Sequence, residues 1–299
     1  MRARYVLLFT CINSLLFLSP VFVSPAPVKA QADETSRSWN RPVKPFRIIG
    51  NIYYVGANEI TSFLITTPNG HILLDGGFAE TVPIIKESMK QLGFRIEDVK
   101  ILINSQAHLD HAGGFALLKQ LTGASLAVSK ADAELISNGG KGDFAWGDKL
   151  SYQPAKVDRI IKDKDKIEIG GVTMTARLTP GHTKGCTTWT MKVTEGDKEY
   201  DVVFVGSVTA PGYKLVDNPN YPNIAADYDY TFQLLKTLPC EVFLGSHGSF
   251  FNLERKRLGL ERGEKINPFI DRKGYRTYLA QSEKDYLEEL RKQQSNKSR

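Results

Sequence analysis

Hydrophobic and polar positions along this 299-residue chain fall into blocks that switch between two periods. From Arg47 to Asp75 short apolar runs are separated by turn residues. They are Ile48-Ile49-Gly50-Asn51, Tyr53-Tyr54-Val55-Gly56 and Ser62-Phe63-Leu64-Ile65-Thr66, with Pro68-Asn69-Gly70 before Ile72-Leu73-Leu74-Asp75. Runs of this length bounded by Asn, Gly and Pro predict an antiparallel meander. From Val82 to Leu92 the apolar residues Ile84, Ile85, Met89 and Leu92 sit at helical spacing, and Gly93 stops the pattern. A strand over 99–103 follows. Helices are predicted over Phe115 to Leu121 and Ala131 to Ser137, around a short strand from Ser125 to Ser129.

The second half repeats the sequence of strands and then helix. Residues 138–148 are glycine-rich and carry Phe144 and Trp146, which predicts a mobile loop with two exposed aromatics. Strands are predicted around Ile167-Glu168-Ile169, Met174–Leu178, Thr187–Val193 and Val202–Val205. A helix from Tyr228 to Leu238, a strand from Glu241 to Leu244 and a charged helix from Tyr275 to Lys292 complete the chain. Two meanders, each followed by helices, predict an α/β fold: a four-layer αββα sandwich with the sheets face to face. No repeat or low-complexity linker divides residues 31–299, which read as a single domain with an extended, Pro-interrupted arm over 31–45.

The first thirty residues belong to a different pattern. Arg2 and Arg4 precede an apolar stretch from Tyr5 to Val23, and Val28-Lys29-Ala30 offers a cleavage site before Gln31. That order is a secretory signal; Ser14, Ser19 and Pro20 interrupt a segment already short for a membrane span. Its removal takes Arg2, Arg4 and Lys29 and lowers the formal charge from +6 to +3. So small an excess gives no electrostatic case for nucleic acid, and nothing remains to hold the protein in a membrane. A monomer is the simplest expectation. Cys11 leaves with the signal, and whether Cys186 and Cys240 pair stays open, because spacing does not fix the distance between them.

Candidate chemistry lies at the ends of the predicted strands. The segment Gln106-Ala107-His108-Leu109-Asp110-His111 follows the 99–103 strand, His182 sits in Thr179-Pro180-Gly181-His182-Thr183, and His247 in Leu244-Gly245-Ser246-His247-Gly248. Four of the five histidines thus occupy turns just past strand ends; His71 lies within a hairpin and reads as structural. Imidazole and carboxylate donors suit zinc. Six donors exceed the needs of one tetrahedral ion with an open position, and divide into Gln106, His108 and His182 for one ion and Asp110, His111 and His247 for another. Two ions about 3.5–4 Å apart can lower the pKa of a shared water to about 7. Gln106 stands where a third histidine is expected, and a neutral amide oxygen is the weaker ligand.

With Leu73-Leu74-Asp75-Gly76-Gly77, the 106–114 motif, Pro180-Gly181-His182-Thr183 and Gly245-Ser246-His247 in this order, the chain resembles the metallo-β-lactamase superfamily. Thioesterase and lactonase members usually carry Gly-Asp after the strand that here ends at Val205; this chain has Gly206-Ser207. Together with Gly181–Trp189 and Asn218-Pro219-Asn220-Tyr221-Pro222, that serine resembles subclass B3, in its branch with glutamine as first ligand. The resemblance implies hydrolysis of the β-lactam amide bond of penicillins, cephalosporins or carbapenems by a metal-bound hydroxide, with two zinc ions, in the periplasm. It further implies that Asp110 orients the nucleophile and that Ser207 lies near the second metal. Tyr213 would face the carbonyl oxygen, and Thr209 the substrate carboxylate. Phe144 and Trp146, with Trp39 and Phe46, are candidates for an apolar pocket rim. The alternatives are a lactonase or glyoxalase II-like thioesterase with a substituted bridge, or a zinc-binding protein without catalysis.

Overall fold

A computed structural model describes residues 34–297. The predicted signal and Cys11 lie outside the described residues. The chain enters with a short helix, α1 (Glu34–Trp39), where an extended arm was expected. Glu34 in its first turn and Arg37 in its last match the helix dipole and favour the turn.

Four antiparallel strands follow: β1 (Phe46–Ile49), β2 (Ile52–Tyr54), β3 (Phe63–Ile65) and β4 (His71–Leu74). Helix α2 (Val82–Gln91) then crosses to β5 (Val99–Ile103), which lies parallel to β4 with Leu73 opposite Leu102. The short helix α3 (Leu109–Ala112) and helix α4 (Phe115–Thr122) lead to β6 (Ser125–Ser129), and α5 (Lys130–Ser137) leads on towards β7 (Arg159–Ile161). The seven strands form one sheet in chain order, antiparallel over its first half and parallel over its second.

The second sheet has the order β12-β11-β10-β9-β8. It comprises β8 (Lys166–Ile169), β9 (Val172–Leu178), β10 (Thr187–Glu195) and β11 (Lys198–Val205), joined antiparallel. After α6 (Ile224–Thr237), β12 (Val242–Gly245) pairs parallel with β11. Helices α7 (Leu253–Glu261) and α8 (Arg272–Lys297) close the described chain. The layers are therefore helix, sheet, sheet and helix.

Strand alternation explains the layering. In β4, Ile72 and Leu74 join the core between the sheets, while Leu73 joins the core beneath α2 and α4. Phe63 and Ile65 face inward from β3, and Leu64 the other way. Successive side chains point to opposite faces, so strands buried on both sides are apolar at every position and show no alternation of polarity. Over the second sheet, Tyr228 of α6 stacks on Tyr286 of α8 and Phe232 meets the same ring at a tilt, while Phe243 of β12 meets Tyr275 edge-on at 5.4 Å.

The sequence reading misses α7. Its residues Leu-Glu-Arg-Lys-Arg-Leu-Gly-Leu-Glu carry little apolar periodicity, and the helix buries Lys256, a residue that reads as surface. The Lys256 ammonium is fully enclosed, 3.0 Å from the Asp271 carboxylate and 5.7–5.8 Å from the ring centres of Phe243, Phe251 and Phe269. Cation–π attraction offsets part of the cost of burying that charge. Phe46, a candidate for the pocket rim, packs instead in the core against Tyr54 and Phe269, because its place in β1 turns it inward. Cys186 and Cys240 are free thiols. No helix among the described residues is long and apolar enough to cross a membrane.

Trp189 of β10 is wholly enclosed between the sheets, and its indole N–H donates to the carbonyl of Asn104 at 2.8 Å, just before the motif. Replacing Trp189 with Ala removes that packing and the bond together. A loss of about 3–5 kcal/mol is expected, read as a lower midpoint in urea unfolding followed by circular dichroism.

Candidate metal centre

The loops leaving β5, β9 and β12 meet at one rim of the sandwich. Directly after β4, Asp75 takes a left-handed conformation (φ 63°). Its two carboxylate oxygens accept the Ser105 amide and hydroxyl, each at 2.6 Å. This fixes the start of the motif. The Gly76 amide donates to the carbonyl of His111 at 2.9 Å, and the Gly114 amide to that of Gly77 at 2.9 Å. A side chain at Gly114 would come within 2.2 Å of the Gly76 carbonyl oxygen, so only glycine permits this contact.

The His182 turn is anchored from beneath. Buried Asp132, on α5, accepts the Gly185 amide and the Thr183 hydroxyl, both at 3.0 Å, and the Asn104 amide at 3.4 Å. Gly181 has φ 138°, and a Cβ there would approach the ring of Tyr228 to 2.9 Å. The turn therefore requires glycine both for its backbone and for its space.

Two pairs of histidines face each other. Nδ1 of His108 lies 3.2 Å from Nε2 of His182, and Nε2 of His111 lies 3.2 Å from Nε2 of His247. The far nitrogen of each ring points at an acceptor. His182 Nδ1 meets the Thr209 carbonyl oxygen at 2.8 Å, and His108 Nε2 lies 3.4 Å from an Asp143 carboxylate oxygen. His111 Nδ1 lies 3.3 Å from Asp75, and His247 Nδ1 lies 3.6 Å from Glu59. For His108 and His111 the carboxylates are in charge contact, short of hydrogen-bond geometry.

An acceptor assigns the proton to the nitrogen beside it, because a neutral imidazole has one donor and one lone pair. For His108 and His182 this sets lone pair against lone pair. That arrangement is repulsive unless a cation lies between the rings. The donors present fit divalent metal ions: imidazole nitrogens with a carboxylate, each histidine oriented by a partner behind it.

Asp110 completes one set. Its Oδ2 is 3.2 Å from His111 Nε2 and 3.5 Å from His247 Nε2, and the three residues bring their ligand atoms within 4.8 Å of one another. Burial would push the His111 pKa down, but the Asp110 and Asp75 carboxylates outweigh it and raise it to about 10. Burial would raise the Asp110 carboxyl, but His111, with His247 and His108, holds it well below the carboxylate range. His182, desolvated and beside His108, is lowered to about 3. The 110–111–247 set thus calls for positive charge, and the 108–182 set does so far less.

Gln106 is buried beside the second set. Its Oε1 accepts the backbone amide of His108 in a long bond of 3.4 Å. Ser207 is buried too. Its hydroxyl contacts that of Thr209 at 3.2 Å and does not reach the cavity. Thr209 lines the cavity, with its hydroxyl 3.3 Å from His182 Nδ1. The Tyr213 hydroxyl donates to the carbonyl of His182 at 3.0 Å, so it braces the turn.

The cavity over these residues measures about 490 Å³. Trp39, Phe78, Leu109, Trp146, Leu150 and Phe250 give it apolar walls, the usual character of a small-molecule site. Trp39 meets the ring of His247 edge-on at 5.4 Å. Trp146 is half-buried and lines the wall. Phe144 does not: it is 9% exposed and packs behind the wall against Tyr213 and Tyr221, at 5.0 and 4.9 Å. The loop folds back on Asp143, which turns Phe144 inward, so neither aromatic is fully exposed. A larger cavity, about 540 Å³, lies between Cys240 and α8 and contains none of these histidines.

Sequence reading missed the partners behind the rings, Glu59 and Asp143, and the clamp from Gln293 of α8. Gln293 accepts the Leu215 amide at 2.7 Å and donates to the Tyr213 carbonyl at 2.8 Å. No local motif marks these residues; only the folded chain brings them to the site.

Residues 55–247 match the sequence pattern of the metallo-beta-lactamase superfamily. The chain belongs to this superfamily. Among solved structures of metallo-beta-lactamases, FEZ-1 from Legionella gormanii is 45% identical at a TM-score of 0.84, over 85% of this chain and 98% of that one. A Cronobacter sakazakii metallo-beta-lactamase with a HARLDQ motif is 40% identical at 0.84, over 87% and 99%. BJP-1, a subclass B3 metallo-beta-lactamase of Bradyrhizobium japonicum, is 37% identical at 0.82, over 87% and 98%. The chain spans only 25–56% of the length of the curated relatives it matches. The HARLDQ motif has the spacing of Gln106–His111 and shares its Ala, Leu and Asp.

Burial raises the Asp132 carboxyl to about 6. Its folded pKa thus stands above the ordinary carboxylate value of about 3.9, and folding takes up a proton there. That contribution is full below about pH 4 and lost as pH rises through 6. The unfolding free energy of wild type minus that of Asp132→Asn is expected to fall between pH 4 and pH 7. Urea titrations across that range would show a flat difference if Asp132 titrates normally.

Proposed function

We propose that the protein is an exported, zinc-dependent hydrolase of the β-lactam amide bond, of subclass B3. The observation that carries this reading is a divided donor set, 108–182 and 110–111–247, beneath one apolar cavity in a chain matching metallo-beta-lactamases over nearly their whole length. Residues 1–30 would direct it to the periplasm, where β-lactams act, and hydrolysis there would confer resistance.

Zinc held by these residues would supply a nucleophilic water at neutral pH and polarise the lactam carbonyl. The remaining work falls to the chain. Asp110 keeps one oxygen on His111 and His247 and borders the cavity. It is placed to orient the water and carry its proton to the leaving nitrogen. The Thr209 hydroxyl suits the substrate carboxylate, and Trp39, Trp146 and Phe250 exclude water from the scissile bond. Tyr213 and Ser207 act one step removed, through His182 and Thr209.

The purified mature protein is expected to open a chromogenic cephalosporin or a carbapenem, to lose that activity with a chelator, and to regain it with zinc. Cleavage of a lactone or thioester with no turnover of any β-lactam would overturn the reading.

Gln106 makes the 108–182 site the weaker of the two. After dialysis, wild type should retain less than two zinc ions per chain, and Gln106→His should retain two. Equal retention of two ions by both proteins counts against a weakened site.

A further inference from the structure

The carboxylates around the two donor sets are unevenly shared. His111 and His247 have Asp110 between them, Asp75 behind one ring and Glu59 behind the other. His182 has only the neutral Thr209 carbonyl behind it, and Gln106 is itself neutral. Among the described residues, Asp143 alone places a carboxylate oxygen within 4 Å of a ring nitrogen of His108 or His182.

Asp143 comes from the glycine-rich loop, and its two oxygens are divided between two tasks. Oδ1 accepts the amides of Ala145 and Trp146, both at 2.8 Å, while the backbones of Asp143 and Gly147 bond to each other in both directions. These bonds set the turn that brings Trp146 to the cavity wall. Oδ2 lies 3.4 Å from Nε2 of His108, a buried nitrogen with no other partner. The carboxylate is itself 4% exposed.

Resting on the zinc reading above, we propose that Asp143 is a positioning residue for the 108–182 metal site. It holds the His108 ring with its Nδ1 lone pair toward the metal and supplies the negative charge that Gln106 does not. A carboxylate behind a ligating imidazole makes the ring a stronger donor, and losing such a partner costs about 10- to 100-fold in metal affinity. The same side chain fixes Trp146. The cavity wall and the first metal site are therefore joined through one carboxylate.

Asp143→Asn separates the two tasks. The amide oxygen still accepts from Ala145 and Trp146, but its NH₂ now faces the N–H of His108, donor against donor. Zinc titrated into the full-length mature protein against a chromophoric chelator gives two dissociation constants. Asp143→Asn is expected to weaken one of them by about 10- to 100-fold and leave the other unchanged. The weakened constant should be the one that Gln106→His tightens, and Asp143→Glu should restore part of the loss. Asp143→Ser keeps a cap for the loop amides without the charge; it should give the same loss and serves if the Asn variant does not fold. Two unchanged constants in the Asn or Ser variant, or an equal fall in both, would overturn the role. A wild type that binds no zinc would instead overturn the metal reading beneath it.

Discussion

The site depends on an unfavourable contact. Two pairs of imidazole nitrogens stand 3.2 Å apart, and in the 108–182 pair lone pair faces lone pair, because the acceptor behind each ring draws its proton to the far side. A protein keeps such a contact only where the surrounding structure over-determines it. Here the two sheets do so. The ends of β5, β9 and β12 are fixed by strand pairing, and their loops are tied down by Asp75, Asp132 and the glycine contacts at 114 and 181. A metal ion would turn that repulsion into attraction.

Charge separates the two halves of the centre. One half concentrates anionic oxygen around His111 and His247, and the other relies on Gln106, a carbonyl and Asp143. Direct donor identity and the groups behind the donors act in the same direction. A neutral amide in the ligand position and a neutral carbonyl behind His182 leave little anionic charge to hold an ion. The weight of that half falls on a loop rather than on a strand end.

Much of this was legible in the sequence because it is local. The strand runs 99–103, 125–129 and 202–205, the helix over 82–92 and all four strand-end histidines announce themselves within a few residues. What escaped is non-local or disguised. Helix α7 buries a lysine in a cage of three phenylalanines, so its inward face reads as polar. Phe144 and Trp146 look equivalent in the sequence. The turn built on Asp143 sends one into the core and the other to the cavity. Glu59 and Asp143 lie far along the chain from the histidines they face and carry no motif. Ser207 marks the subclass in the sequence but touches the centre only through Thr209.

The clamp from α8 has a consequence for how the cavity is assembled. Gln293 holds the backbone of Tyr213 and Leu215, and so the stretch of wall that includes Pro211 and Tyr213. Gln293 itself bonds none of the histidines. The last described helix thus acts as a latch on the entrance and leaves the chemistry to residues from other elements.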